Sequence, residues 1–448
     1  MYNGRRHDEV LENRCLDSKR SSGNRCSIAC CLIPMGRQHR RPDYRLAYMT
    51  VTDTPSHPSW LVWLLLTPAV VPFCYQIGRG LGNISLVLTL LALLAMAVRF
   101  RASAASIRWR GAGLLWLVLL ASGGLSAAWS IAPAEAGSDW FRYALTGSVF
   151  FLVVVLMRRF AFDRIDGLMQ LIGWVGLISF LWLLGHTALT YGTPGFQPQN
   201  HIRGLVPAYL APFVLYLIAQ RATVMLRTGL MLAYGSLLAW LLVQANSLTE
   251  VLAFAAAVLT LVLLRLGSWR MRLGLAVALL AGFVALILAF DPVGRVIAEQ
   301  ESSEAPQSTD WVALADKLSS QRTLIWRQAL AVPPPNPWLG VGAGNVWQYP
   351  PVRMGDKGAV KHLHNLFVDM WYEIGLLGLG LFLAYSAVQF VGGGQRERDP
   401  EIRVTLLASM AAILTAGMLE QHFRSHHFAL FLPYLFALQG WRAHRFEK

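Results

Sequence analysis

Long apolar runs joined by short loops, with every second loop basic, constrain this chain of 448 residues more than any other feature. A helix that crosses a bilayer needs about 20 consecutive, mostly apolar residues. Runs of that kind begin near Trp60, Leu81, Gly113, Trp140, Gly167, Leu205, Gly229, Val251, Leu273, Leu366, Val404 and Phe428. They predict an all-α integral membrane protein of about twelve transmembrane helices, with a large helical segment between helices 9 and 10. Composition agrees, since charged residues make up 14% of the chain, against roughly 25% in a soluble domain.

The loop charges orient the bundle. Arg99, Arg101, Arg108 and Arg110 form one basic loop, and Arg158, Arg159 and Arg164 the next of the same side. Arg221 and Arg227, then Arg265, Arg270 and Arg272, then Arg396, Arg398 and Arg403 continue the series, which Arg442, Arg445 and Lys448 close. The intervening loops "SIAPAEAGSD" and "QANSLTE" carry no Lys or Arg. Basic loops stay on the cytoplasmic side, so both termini are expected there and residues 291–365 on the outer side. The net charge of +14 is thus spread over orientation signals rather than gathered into a nucleic-acid patch.

Residues 1–48 are polar and Arg-rich, without a spanning run, and are expected to form a disordered cytoplasmic tail, with Met49 as an alternative start. They do not read as a signal peptide, because no short apolar core with a small-residue cleavage site follows the basic stretch. Cys26, Cys30 and Cys31 lack a second Cys/His pair at zinc-binding spacing, so no metal site is expected, and no cysteine falls in an outer loop, so no disulfide framework is expected. Residues 49–448 form the polytopic membrane domain.

Against this pattern, a set of ionisable residues falls on the outer side: Arg79, Arg203, Arg322, Arg327, His362, His364, Glu420, His422, Arg424, His426 and His427. Arg142 and Glu250 lie just inside helices that start at that face. Ionisable groups near a membrane are costly and mark working sites. Within the long segment, "WVALADKLSSQRTLIWRQALAV" has helix-period stretches, and Ser319 or Ser320 is placed to cap the second. The prolines of "PPPNPWLGVGAGN" must end that helix. Gly340, Gly342 and Gly344 permit close backbone approach. Those glycines follow no strand, so they do not read as a nucleotide-binding loop. His364 precedes the next spanning helix, whose N-terminal dipole and free N–H groups, beside arginines, make an anion site.

The stretches "SSQRTLIWRQALAVPPPNPWLGVGAGN" and "HLHNLFVDMWYEIGLLGLG" resemble the superfamily of O-antigen ligases and O-antigen polymerases. Its signature is an Arg-containing helix, a Pro-Gly turn, and a His-Asn pair opening a helix with Glu and "GLLG". The resemblance implies a glycosyltransferase of lipopolysaccharide biosynthesis in the bacterial inner membrane, with a periplasmic active site formed around segment 291–365. The donor would be a glycan on undecaprenyl pyrophosphate, in an inverting reaction needing no metal and no other cofactor. A ligase uses lipid A–core oligosaccharide as acceptor and a polymerase another lipid-linked repeat unit, and the residues leave that choice open.

By the same resemblance His364, beside Asn365, would activate the acceptor hydroxyl, with His362 the other candidate. Arg203, Arg322 and Arg142 would hold the pyrophosphate. Glu250 stands in "NSLTEVLAF", where relatives carry a Ser-Arg pair, and is counted as supporting. Glu420, His422 and Arg424 are supporting as well, with mutual pairing across an outer turn as their plain explanation. Arg142 has a structural alternative in pairing with Asp139, and Trp326 one in anchoring at the interface. A secondary transporter is the competing class, but the span centres are nearly uncharged and no repeat relates the halves, unlike such folds.

Overall fold

The computed structural model describes residues 58–100, 111–160, 162, 164–190, 201–244, 248–265, 268, 270–271, 274, 322–346, 363–392, 400–419 and 426–440. Among them the structure is helical throughout. The helices are α1 (Ser59–Ile77), α2 (Arg79–Arg99), α3 (Ala112–Leu125), α4 (Pro133–Gly147), α5 (Val149–Arg159), α6 (Ile165–Thr190) and α7 (His201–Arg221). They continue with α8 (Val224–Gln244), α9 (Leu248–Arg265), α10 (Arg322–Ala331), α11 (Leu366–Gly392), α12 (Pro400–Gly417) and α13 (His426–Gly440).

Eight candidate spans are long and apolar enough to cross a bilayer among the described residues. These are α1, α2, α3 with its following turn, α4 joined to α5, α6, α7, α8 and α11. At three more expected positions lie α9 and α12, of 18 residues each, and the shorter apolar α13. The run expected near Leu273 falls almost wholly outside the described residues, as do residues 1–48 and most of 291–365. One boundary moves. The fourth helix was expected near Trp140 but begins at Pro133, because proline suits a first helical position and Glu135 follows in the first turn. Arg142 is therefore well inside α4 rather than at its start.

Helices that are apolar all round belong in a core or in lipid, and both fates occur here. From Leu205 to Val214 in α7 and from Phe428 to Gln439 in α13 every residue is buried. Leu88 and Leu91 of α2, and Leu232 and Trp240 of α8, face outward. α6 lies along α7, and α9 along both α7 and α12. Close approach of α6 to α7 depends on Gly173, where a Cβ would lie 2.6 Å from the Phe213 carbonyl oxygen. Buried polar bonds tie helices together: Ser409 Oγ to the Tyr209 carbonyl (2.7 Å), and Tyr434 Oη to the Leu65 carbonyl (2.8 Å).

Chain direction sorts the bundle into two ends. One gathers the starts of α7, α9, α11 and α13 and the finish of α12. The other gathers the finishes of α7 and α9 and the starts of α6 and α12.

Candidate functional site

The first of those ends carries the candidate site, built where α10 packs across the start of α11. Ile325 and Ala329 of α10 form a small core with Val346, Leu363 and Tyr372. At the far end of α10, the Tyr372 hydroxyl sits between the carbonyls of Ala329 and Val332, which share its one O–H, at the open end of a helix that Pro333 cannot extend.

His364 occupies the turn that opens α11. Its φ of 51° is the one positive value at a non-glycine among the described residues. Such a conformation persists only where surrounding contacts enforce it, and three contacts do so. The Leu363 N–H donates to Asp369 Oδ1 at 2.9 Å. The Leu363 carbonyl accepts from Trp326 Nε1 of α10, also at 2.9 Å. Asn365 caps α11, its Oδ1 accepting from the Phe367 and Val368 N–H groups at 3.0 and 3.1 Å, while its Nδ2 donates to the Met418 carbonyl at 2.9 Å. The His-Asn pair is thus a histidine on a held turn followed by an N-cap that also ties α11 to the end of α12.

Arg322 begins α10, one turn before Trp326 on the same face. It is 8% exposed, and its Nη1 donates to Thr249 Oγ1 at 3.2 Å. Next to Thr249 is Glu250, 1% exposed, in the first turn of α9. The Glu250 carboxylate lies against the first turn of α7: a Cβ on Gly204 would fall 2.1 Å from Oε2. A carboxylate beside two helix starts is favourably placed. The α11 turn holding His364 is thus bonded through Leu363 to α10, whose first residue, Arg322, is bonded next to Glu250. The structure places the backbone of Arg203 in the same first turn of α7, although its side chain lies outside the described residues. His362, Glu420, His422 and Arg424 also lie outside the described residues.

Arg142 goes elsewhere. It pairs with Asp139 at 3.3 Å, with 43% of its side chain exposed, beside the glycine-rich turn. The Asp139 carboxylate packs so close to Gly344 that a Cβ there would lie 2.0 Å from Oδ2. Ser126 accepts the Ala343 N–H at 3.0 Å, and Asn345 Nδ2 donates to Ser130 Oγ.

The same turn plugs a break in α11. Gly375 has φ 71° and ψ −178°, so the helical ladder is interrupted inside the span. The freed carbonyls of Tyr372 and Glu373 accept from Val341 (2.8 Å) and Gly342 (2.9 Å). On the other side, the Leu376 and Leu377 N–H groups donate to the carbonyls of Pro337 (2.9 Å) and Trp338 (3.3 Å). A Cβ on Gly375 would fall 2.1 Å from the Trp338 oxygen, so glycine is required by both angle and space. Beside this break, Asp369 and Glu373 line a small, largely apolar cavity of about 70 Å³ with Trp116, Trp140, Tyr143 and Met370.

Sequence reasoning missed Thr249, Asp369 and the structural use of Trp326. Asp369 carried a signal, as an acid in the first turn of an apolar helix. Thr249 carried none, because its partner is 73 residues away in sequence. Among the described residues no group of three or more His, Cys, Asp or Glu is placed to hold a metal ion.

Residues 233–383 match the family model described as O-antigen ligase, which supports the O-antigen ligase superfamily for this chain. The matched third or so of the chain runs from α8 to the middle of α11 and contains Glu250, Arg322 and His364. Members of this family are glycosyltransferase-type enzymes of lipopolysaccharide biosynthesis. With the apolar helices, the match points to a multi-pass membrane protein. No curated protein matches it.

Proposed function

We propose that this chain of the O-antigen ligase superfamily is a ligase, moving a glycan from undecaprenyl pyrophosphate to a hydroxyl of lipid A–core oligosaccharide. The site faces the periplasm and the enzyme lies in the inner membrane with both termini cytoplasmic. The observation that supports the proposal is that the His364 turn is bonded to α10, whose first residue, buried Arg322, is bonded beside buried Glu250 at the same end of the bundle. The chemistry needs a base, a cation for the leaving group and a lipid-accessible scaffold, and these residues supply that set.

In the proposed reaction a nitrogen of His364 takes the proton of the acceptor hydroxyl as its oxygen attacks the anomeric carbon from the face opposite the leaving group. The new C–O bond forms as the bond to the pyrophosphate oxygen breaks, so the configuration inverts. Undecaprenyl pyrophosphate departs with its added negative charge balanced by Arg322, and by Arg203 at the start of α7. A guanidinium suits that task because its planar donors match phosphate oxygens. Glu250 keeps Arg322's neighbourhood ordered through the turn it shares with Thr249. Arg142, paired and half-exposed, plays the smaller part of an outlying cation. Apolar lipid chains would enter between helices.

A transporter fares worse on a specific observation. Broken helices in transporters expose free backbone ends to substrate, whereas the break at Gly375 is bonded by the chain's own turn. The test is product analysis with purified protein, lipid-linked glycan and lipid A–core. Glycosylated lipid A–core is the expected product. Longer glycans on the lipid carrier, with lipid A–core untouched, would instead make the protein a polymerase.

A further inference from the structure

We propose that Asp369 is the positioning residue for His364, a role resting on the reading of His364 as the base. An acid in the first turn of a helix ordinarily serves the cap or the dipole. Here the cap is already provided, since Asn365 takes the Phe367 and Val368 N–H groups. The Asp369 carboxylate reaches past that cap instead, six residues back, to the Leu363 N–H. Trp326 holds the Leu363 carbonyl from the opposite side. The peptide units flanking Leu363 are thus clamped from α11 and from α10, immediately before the residue whose φ is 51°.

Burial strengthens the clamp. Asp369 is 2% exposed and Leu363 1%, so water cannot easily replace the bond. Release of the carboxylate would let the turn relax toward an ordinary φ and displace the imidazole. A displacement of about 1 Å at a reacting group costs on the order of 100-fold in rate. Asp369 need never touch substrate for this effect.

The experiment compares Asp369→Ala and Asp369→Asn in the full-length protein, each with and without His364→Ala. Asparagine keeps an oxygen that accepts the Leu363 N–H, so it separates the bond from the charge. Glycan transfer and deuterium uptake at the Leu363 amide are both measured. Asp369→Ala should lower kcat by roughly 100-fold with little change in donor KM. It should also speed exchange at Leu363, and add no loss in the His364→Ala background. Asp369→Asn should restore most of the rate and the slow exchange.

Unchanged kcat or exchange in a folded Asp369→Ala protein would overturn the proposal, as would full additivity with His364→Ala. Should the alanine protein not fold, a folded Asp369→Asn protein with a 100-fold lower kcat would overturn it equally. A parent that transfers no glycan would sink the ligase reading instead. The exchange at Leu363 would then still decide whether Asp369 holds the turn.

Discussion

The two ends of the bundle use charge in opposite ways. At the end where α9 finishes and α12 starts, Arg265 pairs with Glu401, with side chains 35% and 41% exposed. Nearby, exposed Arg221 Nε donates to Gln170 Oε1 at 3.0 Å. These cations are many and solvated. At the other end, among the described residues, Arg322, Glu250 and Asp369 are deeply buried, beside the more exposed Arg327 and Arg142–Asp139 pair. Exposed ion pairs contribute about 0–1 kcal/mol, while burying an ion costs several kcal/mol unless partners repay it. A chain that needed only an orientation signal could keep its charges wet. Buried ones at a helix end fit the site proposed above for a charged substrate.

That contrast breaks most sharply at His364. His364→Ala should lower glycan transfer by about 1,000-fold, a typical loss for a general base, while thermal melting of the purified protein stays near the parent's. Gly375→Ala comes next, acting on folding. A positive φ costs about 1–3 kcal/mol at a non-glycine residue, and the added Cβ would overlap the Trp338 carbonyl. Melting in detergent should drop clearly, with accumulation in the membrane reduced.

Arg322→Ala should cost roughly 100-fold in kcat/KM, read in the same transfer assay. Arg322→Lys should restore little of it, because a lysine lacks the planar donor fork. The smallest effect belongs to the opposite end. Arg265→Ala should shift stability by less than about 1 kcal/mol and leave transfer intact. A large loss of transfer there would erase the distinction between the ends.

How much of this was legible in the sequence follows the range of the forces involved. Spans at Trp60 or Gly113 show themselves because apolar length needs no partner to be recognised. Glycines at 340, 342 and 344 after three prolines announced a tight turn, and all three have positive φ. The His-Asn pair announced a helix start, and Asn365 is its cap. What stayed hidden was set by packing between distant segments. Gly375 reads as an ordinary residue in "EIGLLGLG", and only the turn lying across it explains the break. Trp326 read as an interface anchor, yet its indole N–H is used by Leu363. The Arg142–Asp139 pair, by contrast, was legible as the alternative to a phosphate role, because its partner lies three residues earlier in the same helix.

The most direct test of the central claim sets the two ends against each other in one assay. Purified parent, His364→Ala, Arg322→Ala and Arg265→Ala proteins are compared for transfer from a lipid-linked glycan to lipid A–core, with melting measured on the same samples. All four proteins should melt alike, and only the first two substitutions should lose transfer. Transfer surviving in His364→Ala and Arg322→Ala, or lost equally in Arg265→Ala, would contradict the central claim.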